Sequence, residues 1–305
     1  MRRTPIMKRL VGAPISWGVC EIPEWGALIP PEVVLAEMAE LGLRSTELGP
    51  VGYFPEDPIE VKEMLGRYDM GLAGGFVPLV FHEAALADAT RDHLERAAVL
   101  LASAGAPVFV SAAVWPTGVS AGRLDESQWR QMAAMVEEVE DRVLSHGLAH
   151  AFHPHYGTVV ENDRQLAELL ARADVGLCLD TGHLAMGGID VVRLVRDAGA
   201  RIRHVHLKDV DLALADQVSR EGLLFRDGVR KGLFRPLGRG DVPVGKVISM
   251  LEAAGYAGLY VLEQDTSWPE GELDTDTPRR DVKMSIDFVL DLGLESPERF
   301  VPGVS

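Results

Sequence analysis

The chain has 305 residues, 47% hydrophobic and 25% charged, and its 30 Lys and Arg against 46 Asp and Glu give a formal net charge of −16. That balance argues against a phosphate-backbone partner, which needs basic patches, and no apolar run is long enough to cross a bilayer. Two cysteines, Cys20 and Cys178, cannot build a disulfide framework, and no signal-peptide core follows the basic N-terminus, so a cytoplasmic enzyme acting on a small molecule is expected.

Read along the chain, an apolar run and an amphipathic stretch alternate. A strand at 10–17 precedes a helix at 31–41 with Val34, Leu35, Met38 and Leu41 on one face and Pro31 in its first turn. A strand at 45–49 leads to a helix at 59–68, and one at 71–77 to a helix at 91–104. The strand at 107–113 precedes the longest helix, 127–145, stopped by Gly147. Strand 150–155 pairs with helix 163–171, and strand 175–180 with helix 190–198. Strand 202–208 is separated from helix 244–254 by an excursion at 210–242, and strand 258–263 and helix 280–292 close the series. Strands with little polar alternation fit parallel strands covered on both faces. Eight such units predict an α/β fold, a (β/α)8 TIM barrel, as one domain over 1–295 with a terminal tail at 296–305.

The reactive residues gather where these strands end. Ala151-Phe152 runs into His153-Pro154-His155, Leu179 into Asp180-Thr181-Gly182-His183, and Ile202 onwards into His204-Val205-His206-Leu207-Lys208-Asp209. The last run ends in Glu263-Gln264-Asp265, and the second strand in Glu47. In a barrel these ends converge on the C-terminal mouth. His, Asp, His and Glu together suit a divalent ion: Mn²⁺ or Co²⁺, with Mg²⁺, Fe²⁺ and Zn²⁺ as alternatives. His206 lies nearer the mouth than His204 and is the better ligand, with His204 the better core residue. His153 and His155 pose the same choice and leave it open. Asp180 reads either as a ligand or as a helix N-cap. Lys208 can stand over a substrate oxygen or pair with Asp209 or Asp211, and Glu47 is a candidate proton carrier. His82, His93 and His146 read as surface histidines. Within 210–242, Phe225, Arg226 and Phe234 are candidates to face the pocket from a lid, the basic residues there standing out in an acidic chain, and a solvated surface excursion is the equal alternative.

These motifs resemble the xylose-isomerase-like TIM barrel superfamily of sugar isomerases and epimerases and, within it, the inosose dehydratases. The resemblance covers nearly the whole chain, including Ala13-Pro14-Ile15-Ser16-Trp17-Gly18, Thr46-Glu47-Leu48-Gly49-Pro50, His153-Pro154-His155-Tyr156-Gly157-Thr158, Asp180-Thr181-Gly182-His183 and Leu237-Gly238-Arg239-Gly240. It implies a metal held by His153, Asp180, His206 and Glu263, with His153 where epimerases keep a proton-moving glutamate. It implies substrate contacts from His183, Trp17, His155 and Arg226, and catalytic roles for Glu47, Lys208, His155 and Glu263. The implied reaction is dehydration of a cyclic polyol ketone such as an inosose through an enediolate. Keto-sugar isomerisation or epimerisation at the same metal is the rival, and a non-catalytic sugar-binding barrel is the alternative of another class. Charge counts against an endonuclease, and a homo-oligomer is compatible with the sequence. Lys208 and Glu47 are expected to serve chemistry rather than folding, so that their replacement leaves the melting temperature little changed.

Overall fold

Each apolar run forms a strand and each amphipathic stretch the helix that covers it. The computed structural model describes residues 6–294 apart from Glu21, Pro23, Glu270, Gly271, Leu273 and Thr275, so the tail at 296–305 lies outside the described residues. The strands are β1 (Leu10–Gly12), β2 (Ser45–Glu47), β3 (Gly71–Leu79), β4 (Val108–Ala113), β5 (Ala149–Phe152), β6 (Leu177–Asp180), β7 (Ile202–Leu207), the short β8 (Asp209–Val210) and β9 (Phe234–Arg235), and β10 (Tyr260–Leu262). Eight of them close into a parallel barrel in the order β1-β10-β7-β6-β5-β4-β3-β2, and β8 and β9 form a separate antiparallel ribbon.

Around the barrel run α1 (Pro31–Glu40), α2 (Pro58–Gly66), α3 (Ala87–Ala104), α4 (Glu126–Ser145), α5 (Asp163–Arg172), α6 (Thr181–Met186), α7 (Val191–Ala198), α8 (Leu212–Glu221), α9 (Phe225–Arg230), α10 (Val244–Ala253) and α11 (Asp276–Asp291). Capping boxes start α4 (Asp125 with Gln128) and α5 (Asn162 with Gln165), and satisfy backbone donors that a helix start leaves open. Gly147 follows α4 at φ 76°, a left-handed turn that suits glycine. Val34, Leu35 and Met38 bury the inner face of α1, and a side chain at Gly12 would collide with Met38.

Two expected boundaries shift for a reason. The run expected as one strand over 10–17 ends at Gly12, and Pro14–Trp17 form a 3-10 turn that leads into the mouth. The excursion at 210–242 is built structure: β8, α8, α9 and β9 fold over the mouth. The Asp209 carboxylate holds its base by accepting from the backbone N–H of Val210, Gly238, Gly240 and Val242. Any side chain at Gly240 would meet Asp209 Oδ1, which accounts for a glycine there.

Candidate metal centre and cavity

Asp180 ends β6 and starts α6, and its two oxygens divide the work. Oδ1 accepts from the N–H of Gly182 and His183, both at 2.8 Å, so it caps the helix. Oδ2 is buried without a hydrogen-bond partner and points at other acceptors. The N-cap that the sequence offers is realised by Oδ1, and Oδ2 stays available as a ligand.

His153 Nδ1 donates to the Pro154 carbonyl at 3.0 Å, leaving Nε2 as an acceptor 3.5 Å from Asp180 Oδ2. His206 Nδ1 lies 3.2 Å from Glu263 Oε2 and 3.8 Å from Asp180 Oδ2, without a hydrogen-bond partner of its own. Asp180, His206 and Glu263 offer ligand atoms that all lie within 4.8 Å of one another. Lys208 brings one positive charge to these groups, and Asp180 Oδ2 and His206 Nδ1, buried without hydrogen-bond partners, remain as donor atoms for a divalent cation. Asp180, His206 and Glu263 therefore fit a divalent ion by their chemistry and their convergence, and His153 Nε2 stands beside the same Asp180 oxygen. Cys178, two residues before Asp180, forms a further buried cluster with His153 and His206, which the strand-end reading did not include.

Burial opposes a charge on His206, but Cys178, Glu263 and Glu47 hold its pKa well above the ordinary value. A proton would thus compete with any metal held at that Nδ1. Asp180 is buried too, yet Lys208 and His183 keep it ionised well below the usual carboxylate range.

Lys208 is the cation of this cluster. Its Nζ lies 2.8 Å from Asp265, 3.1 Å from Glu263 and 3.6 Å from Asp180, and 3.0 Å from His183 Nε2. Its partner is Asp265 rather than the expected Asp209 or Asp211. Asp265 carried a signal, standing two residues past Glu263 on the same strand exit, but nothing in sequence tied it to Lys208. Glu47 accepts from His204 and His206. His155 is half-buried beside the cavity, its Nδ1 donating to the Tyr156 carbonyl at 2.8 Å. Burial, then His153 and Lys208, push its pKa down to about 3, so its imidazole is neutral with Nε2 able to accept.

The cavity measures about 430 Å³, and Glu47, His153, His155, His206, Lys208, Glu263 and Asp265 line its polar end. Ile15, Val19, Trp25, Val51, Phe76, Pro78, Val114 and Phe225 line the rest. His183 is buried behind this wall, its ring 3.6 Å from that of His155.

Several expectations are corrected. Trp17 is fully buried and donates to Glu37 at 2.6 Å, because the 3-10 turn after β1 aims it at α1 and not at substrate. Arg226 pairs with Glu24 at 2.5 Å and is not among the cavity-lining residues, whereas its neighbour Phe225 is. Arg230 likewise bonds Ser267 and the carbonyls of Glu24, Trp25 and Trp268. Arg226 and Arg230 fasten the excursion to the neighbouring loops, whereas Arg220 and Arg235 pair with Asp216 and Asp211 inside it. His82 is not a surface residue: β3 runs on to Leu79, and His82 is buried edge-on to Trp115. His93 lines the cavity.

A family model for the xylose isomerase-like TIM barrel matches residues 35–291. The chain belongs to that family. It is 30% identical over 278 residues to an inosose dehydratase of Geobacillus kaustophilus (strain HTA426), covering 87% of this chain and 90% of that one. A rhizopine catabolism protein MocC of Rhizobium meliloti is 34% identical over 270 residues, 83% of this chain and 80% of the relative. The fold is similar to the solved structure of an IOLI protein with a binding zinc atom: TM-score 0.68, 15% identity, covering 93% of this chain and 97% of the other. Among the described residues no helix is long and apolar enough to cross a membrane.

Proposed function

We propose that this chain is a metal-dependent hydro-lyase that dehydrates a cyclic polyol ketone of the inosose type. The observation that carries the reading is a buried ammonium, Lys208, set against Glu263 and Asp180 at the edge of convergent metal-binding groups. Likeness to inosose dehydratases over most of the chain supports it. His153, Asp180, His206 and Glu263 would hold the ion, and their mixed nitrogen and oxygen donors favour Mn²⁺ or Co²⁺. When bound, the ion supplies Lewis-acid stabilisation of negative charge on a ketone oxygen and its neighbouring hydroxyl.

The chain's own groups do the rest. His155, neutral with a free Nε2 beside the cavity, takes the proton from the carbon next to the ketone. The electrons of that C–H bond form the carbon–carbon double bond of an enediolate. Lys208 holds a cation beside the developing oxyanion; the enediolate electrons then form the new double bond as the C–O bond breaks, and the β-hydroxyl leaves as water with the proton that His155 took. His183, 3.0 Å from Lys208 Nζ, orients the ammonium. Phe225 closes the cavity and Phe234 lies under Lys208 Nζ at 5.0 Å, so both exclude water from the intermediate.

Isomerisation of a keto sugar shares the first proton transfer and then reprotonates carbon, whereas dehydration protonates oxygen. A fixed ammonium near the site and a histidine at position 153 favour the second. Incubation of Mn²⁺-loaded protein with inososes and with ketohexoses, followed by product mass, tests it. Loss of one water from an inosose is the expected result, and a product of unchanged mass from a ketohexose alone would overturn it.

A further inference from the structure

Glu47 borders the cavity, yet one of its oxygens is already committed to two histidines. Its Oε1 accepts from His204 Nε2 at 2.8 Å and from His206 Nε2 at 3.2 Å, and the three side chains are at most 4% exposed. The two histidines stand two residues apart on β7 and so face the same way into the barrel. Glu47 comes from β2, which is separated from β7 in the sheet by β1 and β10, so the link crosses the barrel interior. An ionised carboxylate can only accept, so each Nε2 carries the hydrogen that it donates. That leaves His206 Nδ1 to face Glu263 and Asp180.

We propose that Glu47 is a positioning residue that fixes the tautomer and ring orientation of His206 as a metal ligand, with His204 as the strut that pins Glu47. The inference rests on the metal-site reading above. A carboxylate behind a ligating imidazole sets which nitrogen faces the metal and raises its basicity. His204 takes the same oxygen from the other side, so Oε1 is held between the two rings although Glu47 borders the cavity. This gives His204 a purpose that a buried core histidine lacks: without Glu47 its ring would have neither nitrogen satisfied, since Nδ1 is already without a partner.

Two measurements test the proposal, with zinc ion as a diamagnetic probe. In ¹⁵N-histidine NMR of the wild-type protein, His206 should be protonated at Nε2 and should shift at Nδ1 when zinc is added. Zinc on Nε2, or a hydrogen retained on Nδ1 in the loaded protein, overturns the proposal. In competition titrations against a chromophoric chelator, Glu47→Gln should weaken zinc binding by roughly 10–100-fold. Turnover lost by this variant at low metal should return as metal is added, and Glu47→Asp should lie between the two. Wild-type zinc affinity in Glu47→Gln, with turnover lost at every metal concentration, makes Glu47 a proton carrier and overturns the positioning role. A wild-type protein that binds no zinc in its own titration brings down the metal reading as well, and that control separates the two failures. Should Glu47→Gln fail to fold, the wild-type spectrum alone decides.

Discussion

Replacing Lys208 by Met removes one charge from a buried cluster while keeping the length of the side chain. The ammonium is within 3.6 Å of Asp265, Glu263 and Asp180, and the side chain is 3% exposed. Those three carboxylates outweigh burial and hold its pKa well above the ordinary lysine value, so the folded protein carries the charge throughout the working range. Removing one partner of a buried ion pair costs about 3–5 kcal/mol, because the other charges are left unpaired. At ~2–4 °C per kcal/mol for a large domain, the metal-free melting temperature should fall by roughly 10 °C. The sequence reading expects little change, and burial among three carboxylates reverses that expectation. Excess Mn²⁺ restores positive charge beside Asp180 and Glu263, so the gap should narrow when metal is added. Turnover should remain down by about 10²-fold or more, since the oxyanion loses its cation. Scanning calorimetry in EDTA and in excess Mn²⁺, with product mass as the activity readout, measures all three. Equal melting temperatures in EDTA would refute the charge-compensation argument, and wild-type turnover would remove Lys208 from the chemistry.

Asp180→Asn keeps an oxygen to cap α6 but loses the charge at Oδ2; metal affinity should fall by more than the ~10–100-fold of an indirect change, whereas Asp180→Ala should also lose about 1 kcal/mol of cap energy. Calorimetric metal titration and urea melts of both variants check this. His150 is buried between Ser111 and Glu140, and burial lowers its pKa below the ordinary 6.5. A lowered folded pKa means that the unfolded chain binds the proton first, so this stability is full above pH ~6.5 and is lost as pH falls through the folded value. Urea melts of metal-free protein at pH 7.5 and pH 5.5 should show a drop that His150→Gln reduces. Burial pushes the Cys178 thiol up to about 11, whereas Cys20 lines the cavity. Iodoacetamide at pH 8 should modify Cys20 in the folded protein and reach Cys178 only on unfolding, as peptide mass mapping would show.

Much of this protein was legible in its residue order. Strand and helix periods are local, and a barrel repeats one unit, so the pattern of 3.6 and of unbroken apolar runs indicated the fold. Strand ends are local too, which is why Asp180, His206 and Glu263, whose ligand atoms lie within 4.8 Å of one another, stood out as candidate ligands from sequence. Distance across the barrel is not a local property. The bond from Glu47 to His204 and His206 joins residues 157 and 159 positions apart, and Lys208 reaches past its neighbour Asp209 to Asp265. Side-chain direction after a strand is equally hidden. The 3-10 turn at Pro14–Trp17 aims Trp17 at Glu37, and one step along α9 separates Phe225 at the cavity from Arg226 at Glu24. Sequence determined which elements form and which reactive groups stand at their ends. Only barrel closure decided which of those groups face one another, because partners from distant strands meet through register and curvature that no local pattern encodes.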